Sequence, residues 1–94
     1  MSFPTEYHAF TADSINRHAP PASGVYLLLN QQRTVCIGTA INLRDTLLTH
    51  LKKPSPCLSR WQPLAFQFEA LNQAIAANQR NLLILQRQPV CSDK

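Results

Sequence analysis

Glycine is nearly absent from this 94-residue chain: there are two, Gly24 and Gly38, and both stand in one short stretch. Acidic side chains are scarce as well. Glu6, Asp13, Asp45, Glu69 and Asp93 face nine Lys and Arg, and residues 71–92 contain no acid at all, so that tract offers no carboxylate to a hard cation. Cysteine is limited to Cys36, Cys57 and Cys91. An odd number without Cys-x-x-Cys spacing indicates neither a disulfide framework nor a zinc site, and the expectation is reduced thiols in a cytoplasmic protein. Residues 1–21 hold no secretory apolar region and no tract approaches a transmembrane span, which predicts a soluble chain with no membrane partner. There are no internal repeats and no low-complexity tract. At 45% apolar, the chain can build one modest core but not two, which predicts a single domain over residues 1–94.

Between the glycines the pattern is that of a β-hairpin. Gly24-Val25-Tyr26-Leu27-Leu28-Leu29 and Thr34-Val35-Cys36-Ile37-Gly38 are β-branched, aromatic or aliphatic, and polar Asn30-Gln31-Gln32-Arg33 joins them. After Gly38 the period becomes helical, with Leu43, Leu47, Leu48 and Leu51 on one side and Asn42, Asp45, Thr46, Thr49 and His50 on the other. Asn42 followed by Asp45 fits the N-terminal cap of that helix. Upstream, residues 11–17 read as a short capped helix and residues 20–23 as an extended lead into the first strand. Downstream, residues 52–56 end the middle helix and open a loop running to Trp61-Gln62-Pro63, where a third strand, residues 64–68, begins and ends at Glu69. A last helix is predicted over 71–87, with Leu71, Ile75, Leu82 and Leu85 as its inner stripe and Pro89 as its stop.

Gly24-Val25-Tyr26, the spacer, Cys36-Ile37-Gly38-Thr39-Ala40, Asn42-Leu43-Arg44 with His50, and Leu83-Ile84 followed by Pro89 all fall in one register. That register resembles the GIY-YIG nuclease family, especially the N-terminal nuclease domain of the excision-repair protein UvrC, over residues 23–92. The resemblance implies an α+β fold with a small antiparallel three-stranded sheet flanked by helices. It also implies phosphodiester cleavage with one divalent metal held by a Glu on the long helix, helped by tyrosines, a Lys and an Arg.

Carried over position by position, the resemblance leaves most of that apparatus behind. Tyr26 keeps the first tyrosine and Gly38 the glycine, but the second tyrosine becomes Cys36 and the Lys after the glycine becomes Thr39. Thr46 stands where the family places its phosphate-contacting Arg, while Arg44 matches the less critical basic position. The metal Glu becomes Arg80 and the terminal Asn becomes Ser92. Because residues 71–92 lack any acid, no small shift of register restores the ligand. Of the acids elsewhere, Glu69 and Asp45 are the two that could approach such a site. The remnant motif is therefore Tyr26, Cys36 and Gly38, with no metal ligand and no cofactor expected; Mg²⁺ or Mn²⁺ enters only if an active site has been rebuilt.

Charge completes the reading. A formal net charge of +4 and a pI near 9.4 permit nucleic-acid binding, and a solvated basic face accounts for the same numbers. The candidate contacts to a DNA or RNA backbone are Tyr26, Arg44, His50, Lys52, Lys53 and Arg80. An Arg80 guanidinium directed into the former metal site could hold a phosphate where a cation once neutralised it. For single residues the simpler structural readings stand beside these: Tyr26 as a packed strand aromatic, His50 as an exposed helix-end residue, Cys36 as a small core residue and Trp61 as a cap on the core. Three functions stay open. The first is a catalytically inactive, nucleic-acid-binding or regulatory nuclease-like domain; the second a divergent active nuclease using Glu69 or Asp45 with Tyr26 and His50; the third a protein-interaction domain on a retained scaffold.

Overall fold

In the computed structural model, which describes residues 7–30, 33–61 and 64–91, eight elements follow one another. They are β1 (His8–Ala9), α1 (Ala12–His18), β2 (Gly24–Asn30), β3 (Arg33–Ala40), α2 (Leu43–Lys52), α3 (Pro56–Arg60), β4 (Ala65–Ala70) and α4 (Gln73–Arg87). The strands form one antiparallel sheet in the order β1-β4-β2-β3, flanked by helices, so the α+β class expected from the sequence holds. The sheet has four strands rather than three. The added strand is β1, which pairs His8 with Phe66 and Ala9 with Ala65. Two residues are too few to show an alternation, so no sequence pattern announces it.

The hairpin forms in the expected place, and its turn at 31–32 lies outside the described residues. Its register slips between Leu28 and Leu29, so that Leu28 faces Cys36 and Leu29 faces Thr34, leaving Val35 as the extra residue of a bulge. Strand alternation then sends β2 residues to two cores. Tyr26 and Leu28 join Phe10, Ile15, Leu43, Leu47, Leu58 and Phe66 on the face covered by α1 and α2. Val25, Leu27 and Leu29 join Ile37, Ala76 and Leu83 on the face covered by α4.

Each helix is capped by a side chain that competes well for backbone N–H groups. Thr11 accepts from Ser14 N–H and starts α1; Asn42 accepts from Asp45 N–H and starts α2, as its spacing predicts. The loop expected over 52–63 contains one helical turn, α3, because Ser55 caps Leu58 N–H and Pro56 occupies the first turn, where it has no hydrogen bond to lose. Residues 62 and 63, the expected entry to the next strand, lie outside the described residues.

The inner stripe of α4 differs from the expected one. Ile75, Leu82 and Leu85 are 50%, 54% and 75% exposed, and the buried residues are Ala76 and Leu83. Leu82-Leu83-Ile84-Leu85 distributes apolar side chains around most of the helix, so periodicity cannot select a face. Tertiary ties select it instead. Leu71 N–H donates to Ser23 O and Ser23 Oγ–H to Leu71 O, which pins the entry to α4 at the start of β2. After the helix ends at Gln88 in the left-handed region (φ 51°), Val90 N–H and Cys91 N–H donate to Thr34 O and Val35 O, strapping its exit to β3.

The expectation of three reduced thiols is also corrected. Cys57 and Cys91 form a disulfide with a Cα separation of 5.9 Å, joining α3 to the strap after α4, and Cys36 alone is a buried thiol. Sequence spacing could not show this pairing, since 34 residues separate the two cysteines and the strap brings them together.

Two stability measurements check this arrangement. In urea unfolding, Leu83→Ala lowers stability by about 2–4 kcal/mol, whereas Leu85→Ala changes it by about 0.5 kcal/mol or less. Reducing the Cys57–Cys91 bond, which closes a 34-residue separation, lowers stability by roughly 3–4 kcal/mol in the same assay.

Candidate functional site

The remnant motif is held together by the absence of a side chain at position 38. Tyr26 and Gly38 are direct cross-strand partners, and the Tyr26 ring lies across the glycine: a methyl placed there would stand 2.5 Å from the Tyr26 hydroxyl oxygen and 2.7 Å from Cζ. This glycine is required for a close approach rather than for backbone freedom. The second glycine serves the same purpose at the other end of the hairpin, where a methyl at Gly24 would collide with the Glu69 carbonyl oxygen.

Tyr26 is 3% exposed, and its hydroxyl is 2.7 Å from Nε2 of His50 on α2. His50 is thus a half-buried partner of the motif tyrosine and not a free helix-end residue. Cys36, one position from the ring-crossing glycine's neighbour Ile37, is buried against the same core. Beside it is a cavity of about 210 Å³ lined by Cys36, His50, Ser55, Pro56, Cys57, Leu58 and Cys91.

The remaining candidates do not converge on this group. Arg44 is half-buried and its Nε–H donates to Ala19 O at 2.9 Å, which ties α2 to the end of α1. Lys52 and Lys53 are exposed at the end of α2. Arg80 lies between Ala76 and Leu83 on the buried stripe of α4, hence on the opposite face of the sheet from Tyr26 and His50. Its Nε is buried without a hydrogen-bond partner. Glu69 is the cross-strand partner of Val25, so its side chain faces the same α4 layer, and its Oε1 is also buried without a hydrogen-bond partner. Asp45 is exposed in the first turn of α2. Glu6, Ser92 and Asp93 lie outside the described residues.

A second basic feature was not visible in sequence. Arg33, at the start of β3, places its guanidinium carbon 5.6 Å from the centre of the Trp61 ring, and Asn30 Nδ2–H donates to Trp61 O. Trp61 packs partly against the core, as a cap would, while carrying this cation on its ring. The pair is 28 residues apart in the chain, so only the hairpin's return toward α3 creates it. Exposed Lys52, Lys53 and Arg60 lie in the chain segment that leads to Trp61, and no Asp or Glu occurs from residue 46 to 68.

The fold is similar to that of solved nuclease domains. The crystal structure of the GIY-YIG N-terminal endonuclease domain of UvrC from Thermotoga maritima, bound to its catalytic divalent cation magnesium, aligns with a TM-score of 0.69 at 24% identity, covering 81% of this chain and 92% of that one. A point mutant of the same domain, also bound to its divalent cation, gives a TM-score of 0.72 at 23% identity over 85% and 96% of the two chains. No protein-family model matches the sequence, and no curated protein matches it. The likeness establishes a GIY-YIG-like fold.

The crossing of Tyr26 over Gly38 predicts a specific coupling. Gly38→Ala destabilises the protein by about 1–3 kcal/mol in urea unfolding, and in a double-mutant cycle with Tyr26→Val most of that cost disappears because the ring that blocks the methyl is gone.

Proposed function

We propose that this GIY-YIG-like chain is a non-catalytic nucleic-acid-binding module that holds phosphate backbones without cutting them. The observation that carries the proposal is Arg80: its Nε is buried and α4 bears no acid, and in the register of the resemblance it stands where the family would have its metal-binding carboxylate. Mg²⁺ takes oxygen ligands in near-octahedral geometry and normally at least one carboxylate. The α4 layer offers one buried, unpartnered carboxylate oxygen on Glu69 together with a buried cationic nitrogen, and that donor set does not fit a divalent cation.

Binding in turn needs cations at a surface, and the acid-free segment supplies them. Lys52, Lys53 and Arg60 are exposed, and Arg33 adds a charge on the Trp61 ring. Such a set attracts a polyanion through released counterions and reads no sequence, which suits a retained nuclease scaffold that has lost its chemistry. Tyr26 and His50 serve here by closing the hairpin onto α2, with the hydroxyl engaged by the imidazole. No described helix is long and apolar enough to cross a membrane.

One observation favours a second reading. Glu69 Oε1 is a buried acceptor without a hydrogen-bond partner, and a rebuilt metal-dependent nuclease would use that carboxylate.

A titration against labelled single-stranded, duplex and branched DNA and an RNA hairpin, at two salt concentrations with and without Mg²⁺ or Mn²⁺, separates these readings. The expected result is binding that weakens with salt and yields no cleavage products. Replacing Lys52 and Lys53 by Ala lowers affinity and reduces the slope of log K against log salt by about 1–2. Metal-dependent nicking that disappears in Glu69→Ala establishes the second reading, and absence of salt-sensitive binding to every probe overturns the first.

A further inference from the structure

Three cysteines and one histidine line a single cavity of about 210 Å³. They come from four separate parts of the chain. Cys36 is on β3, His50 on α2, Cys57 on α3 and Cys91 on the strap that follows α4. Cys36 is a thiol, whereas Cys57 and Cys91 are joined as a disulfide. A thiol and a disulfide that share a cavity, with a titratable imidazole in the same wall, are the reactants and the proton carrier of thiol–disulfide exchange. Binding of a phosphate backbone makes no use of these groups.

We propose that this cavity is an intramolecular thiol–disulfide exchange site, in which Cys36 attacks the Cys57–Cys91 bond at Cys91. The Cys36 thiol gives its proton to the His50 ring nitrogen that Tyr26 does not engage, and the thiolate forms a new S–S bond to Cys91 Sγ. The Cys57–Cys91 bond breaks with its electron pair on Cys57 Sγ, which takes up the proton. One disulfide and one thiol enter and one disulfide and one thiol leave, so no external oxidant or reductant is needed.

The backbone favours Cys91 as the sulfur attacked. Cys91 N–H donates to Val35 O at 2.8 Å and Val90 N–H to Thr34 O at 3.2 Å, so Cys91 is already held along the residues that precede Cys36. A Cys36–Cys91 bond therefore joins two segments that the hydrogen bonds keep adjacent. Cys57 is the more accessible partner, half-buried where Cys36 and Cys91 are buried, and its departing thiolate has solvent at hand.

Exchange changes what the crosslink restrains. In the state observed, the disulfide ties α3 to the strap; in the product it ties β3 to the same strap and releases α3. The five residues of α3 bury only Leu58 and carry Arg60, directly before Trp61. Exchange thus sets how firmly the basic segment from Lys52 to Arg60 is held, whether or not that segment binds nucleic acid.

The test uses the purified full chain in neutral native buffer with a maleimide present to capture released thiols, followed by acid quenching, tryptic digestion and mass spectrometry. The three cysteines fall in separate peptides, 34–44, 53–60 and 88–94. The expected product links 34–44 to 88–94 and carries maleimide on Cys57, and it accumulates at a rate that low urea leaves unchanged. In Cys36→Ser, capture at Cys57 falls about tenfold or more. Modification of Cys36 alone with the Cys57–Cys91 bond intact overturns the proposal. So does capture at Cys57 whose rate climbs with urea from the lowest concentrations, since that marks global unfolding. The crosslinked wild-type peptide decides the matter even if Cys36→Ser does not fold.

Discussion

Strand β2 is covered on both faces, and the rest of the molecule is arranged around that constraint. From Gly24 to Leu29 every residue is buried, with Tyr26 and Leu28 under α1 and α2 and with Val25, Leu27 and Leu29 under α4. A strand with no solvent face must be apolar on alternate and intervening positions alike, which is why it reads as a continuous run rather than an alternating one. Two helical layers must then be brought to a narrow sheet by a chain of modest length. The glycines solve the local part of that problem, because Gly24 lets the Glu69 backbone pass and Gly38 lets the Tyr26 ring pass.

The few polar groups inside these layers account for the functional reading. On the α2 face the buried phenol of Tyr26 is hydrogen-bonded to His50, so its desolvation is offset. On the α4 face, Glu69 and Arg80 each keep a buried atom without a hydrogen-bond partner. Native cores contain few such groups.

The end of the chain is organised by a different principle. The strap after α4 is fixed to β3 by two backbone hydrogen bonds and to α3 by the disulfide, and together these close the wall of the cavity next to His50. Covalent and hydrogen-bonded ties thus stand in for apolar burial where α3 is too short to supply it.

The hairpin, the cap of α2 at Asn42 and the positions of the main strands were legible in the residues, because each depends on neighbours in the chain: apolar runs and a capping side chain. Tyr26, Cys36 and Gly38 were legible as a motif for the same reason. The fourth strand, the rotation of α4, the Tyr26–His50 bond, the Arg33–Trp61 pair and the Cys57–Cys91 disulfide were not. Each joins residues distant in sequence, and its formation rests on how the helices are tied to the sheet. Local pattern determines which segments are strands and helices. Only the tertiary structure decides which of several apolar stripes is buried and which polar and sulfur groups meet, since those outcomes follow from packing two layers against one strand.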